Sequence, residues 1–277
     1  MPFTLSHPAV VLPFARLLAR WRLLSAVVIG AMVPDFGLFS PWRVYRVETH
    51  SVTALGSFCL PVGLLTYWIF QYLIKTPVME TLPDGAAERW RAYSSPADIA
   101  SPLHWILAAL GVLAGAVSHL GWDAFTHEGA RGVRLIPWLE DPIVEIGSHY
   151  VPGVRLMQDG SSLIGFAIVL GFVWYGLRRR RTQPGLTASQ LPARLLTPNE
   201  RHAWVLLYAL AGIASGAAWL LWVRAGEPAP HSVTALANAI AVAGLRGLAT
   251  ALLGVSLGLD LRLRALRRES RRVPTVP

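Results

Sequence analysis

The chain has 277 residues, of which 53% are apolar and only 15% charged, with a mean hydropathy of +0.45. That balance excludes an ordinary soluble domain and makes the bilayer the expected solvent. A net charge of +9 suggests nucleic acid at first sight, but the arginines form runs between and after apolar stretches with no interleaved stacking motif. No nucleic-acid role is therefore expected, and membrane lipid with anionic headgroups is the expected partner.

In chain order, the first apolar region, Pro8 to Val33, contains Arg16, Arg20 and Arg22, which one straight crossing helix would hold at mid-membrane at high cost. A helical hairpin turning at Ala19 to Arg22 instead lets the arginines snorkel at one face and returns Asp35 to the level of His7. Four segments then have the roughly 20 apolar residues that a span requires: Val52 to Ile74, Leu103 to Trp122, Ala203 to Val223 and Leu236 to Leu259. Ser161 to Leu177 is a shorter fifth. Apolar runs of this kind suit helices rather than alternating barrel strands, so the fold class is all-α, a polytopic transmembrane bundle with an amino-terminal hairpin.

Residues 1–177 are expected to form one membrane unit. It includes a lid at 128–160, whose Leu135-Ile136-Pro137-Trp138 and Tyr150 to Met157 stretches are too short to span but apolar enough to lie at the headgroups. A basic linker at 178–201 and a closing pair of spans with a basic tail at 202–277 complete the chain. No internal repeat is visible, and the single Cys59 rules out a disulfide framework. Residues 1–15 carry no Lys or Arg, so a cleavable signal is not expected. Alternating the spans places eighteen basic residues on one side and six on the other, with Arg246 inside the last span. The positive-inside rule then predicts an extracytoplasmic amino terminus and a cytoplasmic carboxy terminus in the cell's inner membrane.

Chemistry concentrates at Ser118 to Gly129, where His119, Asp123 and His127 follow one another at four-residue spacing on one helical face. Imidazole nitrogen and carboxylate oxygen at this spacing can hold a divalent metal, zinc in the first place and manganese in the second. A hydrogen-bonded His/Asp clasp between helices would give the same pattern. The topology adds His7, Asp35 and His50 to the same membrane face, and ionisable groups at that depth are functional candidates by default. His104, His202 and His231 lack partners at ligand spacing and are expected to be ordinary interfacial residues, while His149 stays unassigned. Glu128, Glu140, Asp141 and Glu145 could include a general base or be simply solvated.

Met1 to Pro8, Gly30 to Phe36, Thr49-His50-Ser51 and Ser118 to Gly129 resemble, in order and through about Ser162, an uncharacterised bacterial membrane family known as a domain of unknown function. The same stations are similar to predicted inner-membrane metal-dependent hydrolases and, in ligand order, to zinc-dependent phospholipase C. The resemblance implies His7, Asp35, His50, His119 and Asp123 as metal ligands, with His127 as a further candidate. It also implies hydrolysis of a lipid or another membrane-associated phosphate ester. Where those hydrolases show Pro-Asp-x-Asp-His, this chain has Pro34-Asp35-Phe36-Gly37-Leu38, and the extra carboxylate and histidine of a multi-metal site are missing. Gln158 to Ser162 also looks family-like without an evident chemical role. The rival class is a non-enzymatic assembly factor or transporter whose His/Asp cluster is structural or pH-responsive. Transport is the less expected of these, because no inverted repeat is present.

Overall fold

A computed structural model describes residues 4–39, 44–94, 100–147, 149–178, 194–226 and 233–272. It divides into two units, Met1–Trp68 with Ser95–Gly176, and Ile69–Ser94 with Leu177–Pro277. Five helical segments are long and apolar enough to cross a membrane: Leu55–Thr81, Pro102–Thr126, Gly153–Leu177, Pro198–Ala225 and Ala235–Ser270. The protein is an all-α polytopic bundle.

The first unit opens with the expected hairpin. Its first arm is mostly 3-10 rather than α, over Thr4–Val10 and Leu12–Phe14, before α1 (Ala15–Arg20) begins. Pro8 and Pro13 lack the N–H that an α-helix interior needs, which explains the tighter winding. The reversal is a Schellman turn: Leu23 N–H donates to Leu18 O at 2.8 Å and Arg22 N–H to Ala19 O at 3.0 Å. Arg22 takes the left-handed conformation, φ 59°, that glycine usually supplies at this position. Leu18 and Leu23 pack beside the Val11, Val27 and Ala31 core, and Arg16, Arg20 and Arg22 are exposed around the turn. The return arm is α2 (Leu24–Gly30), followed by a 3-10 segment at Val33–Phe39 that carries Asp35.

After α3 (Arg46–Thr49), the first long span runs through a π-helical turn at Leu55–Cys59, α4 (Leu60–Ile69), a second π-turn at Phe70–Ile74 and α5 (Lys75–Thr81). Each wide turn lies just before a proline, Pro61 and Pro77, whose ring clashes with the carbonyl four residues earlier. In the second unit, α6 (Asp84–Ser94) follows directly.

α7 (Pro102–Thr126) is the axis of the first unit. Glycines at 111 and 115 face α2: a Cβ at Gly111 would lie 3.0 Å from the Ala26 methyl, and one at Gly115 would strike the backbone at Val27 and Ala31. Gly30 meets the Val112 backbone equally closely. Close backbone approach through small residues is how membrane helices associate when lipid offers no hydrophobic contrast.

The 128–160 segment holds α8 (Arg131–Arg134), a 3-10 turn at Pro137–Leu139 and the described residues' only strands, β1 (Pro142–Ile146) and antiparallel β2 (His149–Pro152), with Gly147 turning between them at φ 64°. Val133, Leu139 and Val154 form its core, while Leu135 and Trp138 are exposed, the disposition an interfacial segment needs. Gly153 to Met157, expected at the headgroups, instead form the first turns of α9 (Gly153–Leu177). That helix is eight residues longer than the Ser161 to Leu177 reading. Polar Gln158, Asp159 and Ser161 had masked those turns, yet Ser161 and Ser162 return their hydroxyls to Gln158 O at 3.2 and 2.7 Å. Trp122 Nε1–H on α7 donates to Ser161 Oγ at 3.3 Å, so the Gln158 to Ser162 motif fastens α9 to α7.

In the second unit, α10 (Pro198–Gly226) starts from a Thr197/Glu200 capping box and packs along α11 (Val233–Arg272) around Leu196, Leu259 and Leu263. Arg246, the charge left inside the last span, lies 4.9 Å over the Trp219 ring, a cation–π contact that offsets its desolvation. Arg194 donates to the carbonyls of Met79 and Glu80 at 2.9 and 3.3 Å, closing the carboxy-terminal end of α5. Most of the 178–201 linker, residues 179–193, lies outside the described residues, as do Arg43 and His231.

Gly115→Ala should lower the melting temperature in detergent, because overpacking at a backbone contact costs about 1–3 kcal/mol. Gly121→Ala, where an added Cβ meets nothing within 4 Å, should leave it unchanged or raise it. Thermal unfolding of the two variants beside wild type checks both.

Candidate metal centre

Positions 111, 115, 119 and 123 of α7 fall at four-residue spacing, so the face that glycines press against α2 carries His119 and then Asp123 toward the helix end. Contact with α2 brings the Ala31 carbonyl to His119 Nδ1 at 2.8 Å. A carbonyl only accepts, so Nδ1 bears the proton and the Nε2 lone pair points into the cluster. His50, at the end of α3, is fixed in the same way. The Thr49 hydroxyl gives its proton to Arg46 O at 3.2 Å and receives His50 Nδ1–H at 2.7 Å, which leaves His50 Nε2 as an acceptor. His127, just past α7, directs Nδ1 to Asp123 O at 3.3 Å.

All six residues singled out from the sequence meet. His50 Nε2 lies 3.3 Å from Asp35 Oδ1 and 3.5 Å from Asp123 Oδ2. His119 Nε2 lies 3.8 and 3.6 Å from the same two oxygens. On the other side of the carboxylate, His7 Nε2 and His127 Nδ1 lie 3.9 and 3.5 Å from Asp123 Oδ1. The His7 ring stacks on His119 at 3.7 Å between centroids. Two close triads of donor atoms stand out, His7 with His119 and Asp123, and Asp35 with His50 and His119; His127 is outside both. Donors held ~2.0–2.2 Å from one tetrahedral ion would be roughly 3.3–3.5 Å apart, close to the separations seen.

The hydrogen-bond accounting tests whether a cation fits. Among the described residues, eight buried side-chain N or O atoms have no hydrogen-bond partner, and six of them are in this cluster: Nε2 of His7, His50, His119 and His127, Oδ2 of Asp35 and Oδ1 of Asp123. The carboxylate oxygens and the Nε2 atoms of His50, His119 and His127 are acceptors. At ~1–3 kcal/mol for each unsatisfied buried group, the set would cost on the order of 10 kcal/mol, comparable to the whole net stability of a domain. A cation held by the two triads would relieve most of them at once, so the donor set fits a divalent metal.

Outside the spans, burial and neighbouring groups shift three residues of the cluster. Burial, aided by neighbouring His119, pulls His7 down to about 4, so it is neutral at physiological pH. Burial also pulls His127 below its ordinary value. For Asp35, burial acts upward, but adjacent His50, His119 and Thr4 outweigh it and hold the carboxyl below the usual range.

Two participants escaped the sequence reading. Arg46 places Nη2 2.5 Å from Asp123 Oδ2, although its side chain is 43% exposed against 7% for Asp123. Thr49, buried, orients His50. Arg46 and Thr49 lie within one helical turn of His50, and Thr49 stands in the Thr49-His50-Ser51 motif, but neither follows a ligand spacing. In the other direction, His104 is not an ordinary interfacial residue; it is buried and 2.7 Å from the Tyr67 hydroxyl, far along α7 from the cluster. His202 is exposed, and His149 lies in β2. Glu128, Glu140, Asp141 and Glu145 are exposed as well.

A family model described as a domain of unknown function, DUF4184, matches residues 1–257. The chain belongs to that family. The match runs well past Ser162, so the closing helices are part of the family and not an appendage. No curated protein and no solved structure matches the chain.

Thr49→Val keeps the buried volume but removes the acceptor for His50 Nδ1–H, and loss of such an orienting partner weakens metal affinity by about 10–100-fold. His104→Ala should leave affinity unchanged. Zinc titration against a chromophoric chelator, with each variant in the same detergent, measures both.

Proposed function

We propose that the protein is a membrane-embedded, metal-dependent hydrolase acting on a lipid or another membrane-associated phosphoester. The observation that carries this reading is the convergence of four imidazoles and two carboxylates, each with an unpartnered buried atom, at one end of an apolar bundle. Nitrogen and carboxylate donors without a thiolate suit zinc first and manganese second. When bound, such an ion supplies Lewis-acid polarisation of the ester and activation of water near neutral pH.

The chain's own residues have separable tasks in this reading. Asp35, His50, His119, Asp123 and His7 hold the ion, and Ala31 O and Thr49 Oγ1 fix the rings that do so. His127, whose side chain is 19% exposed at the edge of the cluster, takes the proton from the attacking water at Nε2 and passes it to the departing alcohol oxygen. The 128–160 lid, with Leu135 and Trp138 exposed, seats the substrate at the headgroup level. The basic-residue asymmetry of the sequence puts this site on the extracytoplasmic side of the inner membrane, with the carboxy terminus in the cytoplasm.

A second reading draws on the Arg46–Asp123 ion pair, which ties α3 to α7 without any metal. The cluster would then be a structural or pH-responsive clasp in an assembly factor or transporter.

Asp123→Ala separates the two. As a hydrolase, wild type purifies with metal and cleaves members of a panel of phosphate and carboxyl ester lipids. The variant loses the metal and at least about a hundredfold in rate, and it melts no lower than wild type stripped of metal by a chelator. If wild type holds no metal and the variant only melts earlier, by the ~1–3 kcal/mol of an orphaned partner, the clasp is the correct reading. Elemental analysis, melting curves and lipid turnover on the same preparations decide it.

A further inference from the structure

We infer that Arg46 is the group that binds a phosphoryl oxygen of the ligand, which makes the site one for phosphate esters and not carboxyl esters. The inference deepens the hydrolase reading and rests on it for the role of that ligand as substrate.

Arg46 opens α3, and its guanidinium reaches the cluster through Nη2, 2.5 Å from Asp123 Oδ2. Asp123 is nearly buried, whereas the Arg46 side chain is 43% exposed. The guanidinium thus has one edge on the donor set and the rest of its five N–H groups toward the mouth. Its position is fixed before any ligand arrives, so little side-chain entropy is lost on binding.

Charge points to the class of ligand. Asp35 and Asp123 balance one divalent ion, to which imidazole ligands bind in the neutral form and add no charge. Arg46 then leaves the mouth of the loaded site with one positive charge in excess. A carboxyl ester brings no charge to meet it. A phosphate ester brings at least one, spread over oxygens whose spacing matches the guanidinium fork. Lysine could supply the charge but not the fork.

The test uses the full chain, zinc-loaded, in a phosphate-free maltoside detergent, titrated with inorganic phosphate by calorimetry. Wild type should bind phosphate. R46K should keep its zinc and bind phosphate about tenfold more weakly, and R46Q should lose a further tenfold or more. Dioleoyl phosphatidic acid is then added as competitor. Displacement of phosphate from wild type identifies a lipid headgroup as the ligand; phosphate binding without displacement identifies a water-soluble phosphate ester, and either supports the assignment. Wild-type phosphate affinity in both variants overturns it. So does a result in which R46K matches wild type while R46Q loses zinc and phosphate together, which would make Arg46 only a support for Asp123.

Turnover is read separately. Arg46-dependent phosphate binding with no hydrolysis of any ester removes the hydrolase reading and leaves the anion site standing. Hydrolysis of carboxyl esters with KM unchanged in R46K does the reverse.

Discussion

The contact between α2 and α7 is the constraint on which the site depends. Glycines at 30, 111 and 115 let two backbones touch, and that contact alone brings the Ala31 carbonyl to His119 Nδ1. A single Cβ at Gly115 would strike Val27 and Ala31, separate the helices and release the ring. The hairpin turn at Arg22 serves the same end, since it returns Asp35 to the level of His7 and sets both against α7. Further along the chain, Gly165 of α9 comes within 2.9 Å of the Ser6 carbonyl, measured to an added Cβ, and closes the 3-10 segment that carries His7. Small residues therefore position every element of the centre, and the polar groups follow from them.

Electrostatics explain why such a cluster is tolerated at the end of an apolar bundle. Two carboxylates held this close repel, and burial penalises each. Arg46 offsets part of the charge from the exposed side, but its contact reaches only Asp123 Oδ2, leaving Oδ1 and Asp35 Oδ2 without hydrogen bonds. Fixed tautomers at His50 and His119 add acceptors where a core built for packing would supply donors. A metal-free clasp built from the same residues would leave those acceptors without donors.

Much of this was legible in the sequence because the bilayer imposes strong rules. Span length and hydropathy exposed four of the five crossing helices, and the cost of Arg16, Arg20 and Arg22 at mid-membrane was enough to predict a hairpin that the Schellman turn forms. The fifth helix was cut short because Gln158, Asp159 and Ser161 look like loop residues, though they satisfy one another within the helix and against Trp122. The six residues of the cluster were visible from their spacing and membrane face. Arg46 and Thr49 were not, because a lone arginine counted as a topological charge and a threonine next to a histidine carries no periodic signal. The π-turns before Pro61 and Pro77 depend on local backbone clashes, for which a hydropathy pattern has no term.

One nitrogen limits how the donors can share ions. Both close triads of donors include His119, and with Nδ1 committed to Ala31 each must use the same Nε2. A ring nitrogen has one lone pair in the plane, so the triads cannot hold separate ions through it. The two triads overlap at His119, while Asp123 faces His50 and His119 through Oδ2 and His7 and His127 through Oδ1. A single ion leaves the loaded centre with little net charge of its own, and so gives the charge of Arg46 at its mouth the deciding part in what can bind.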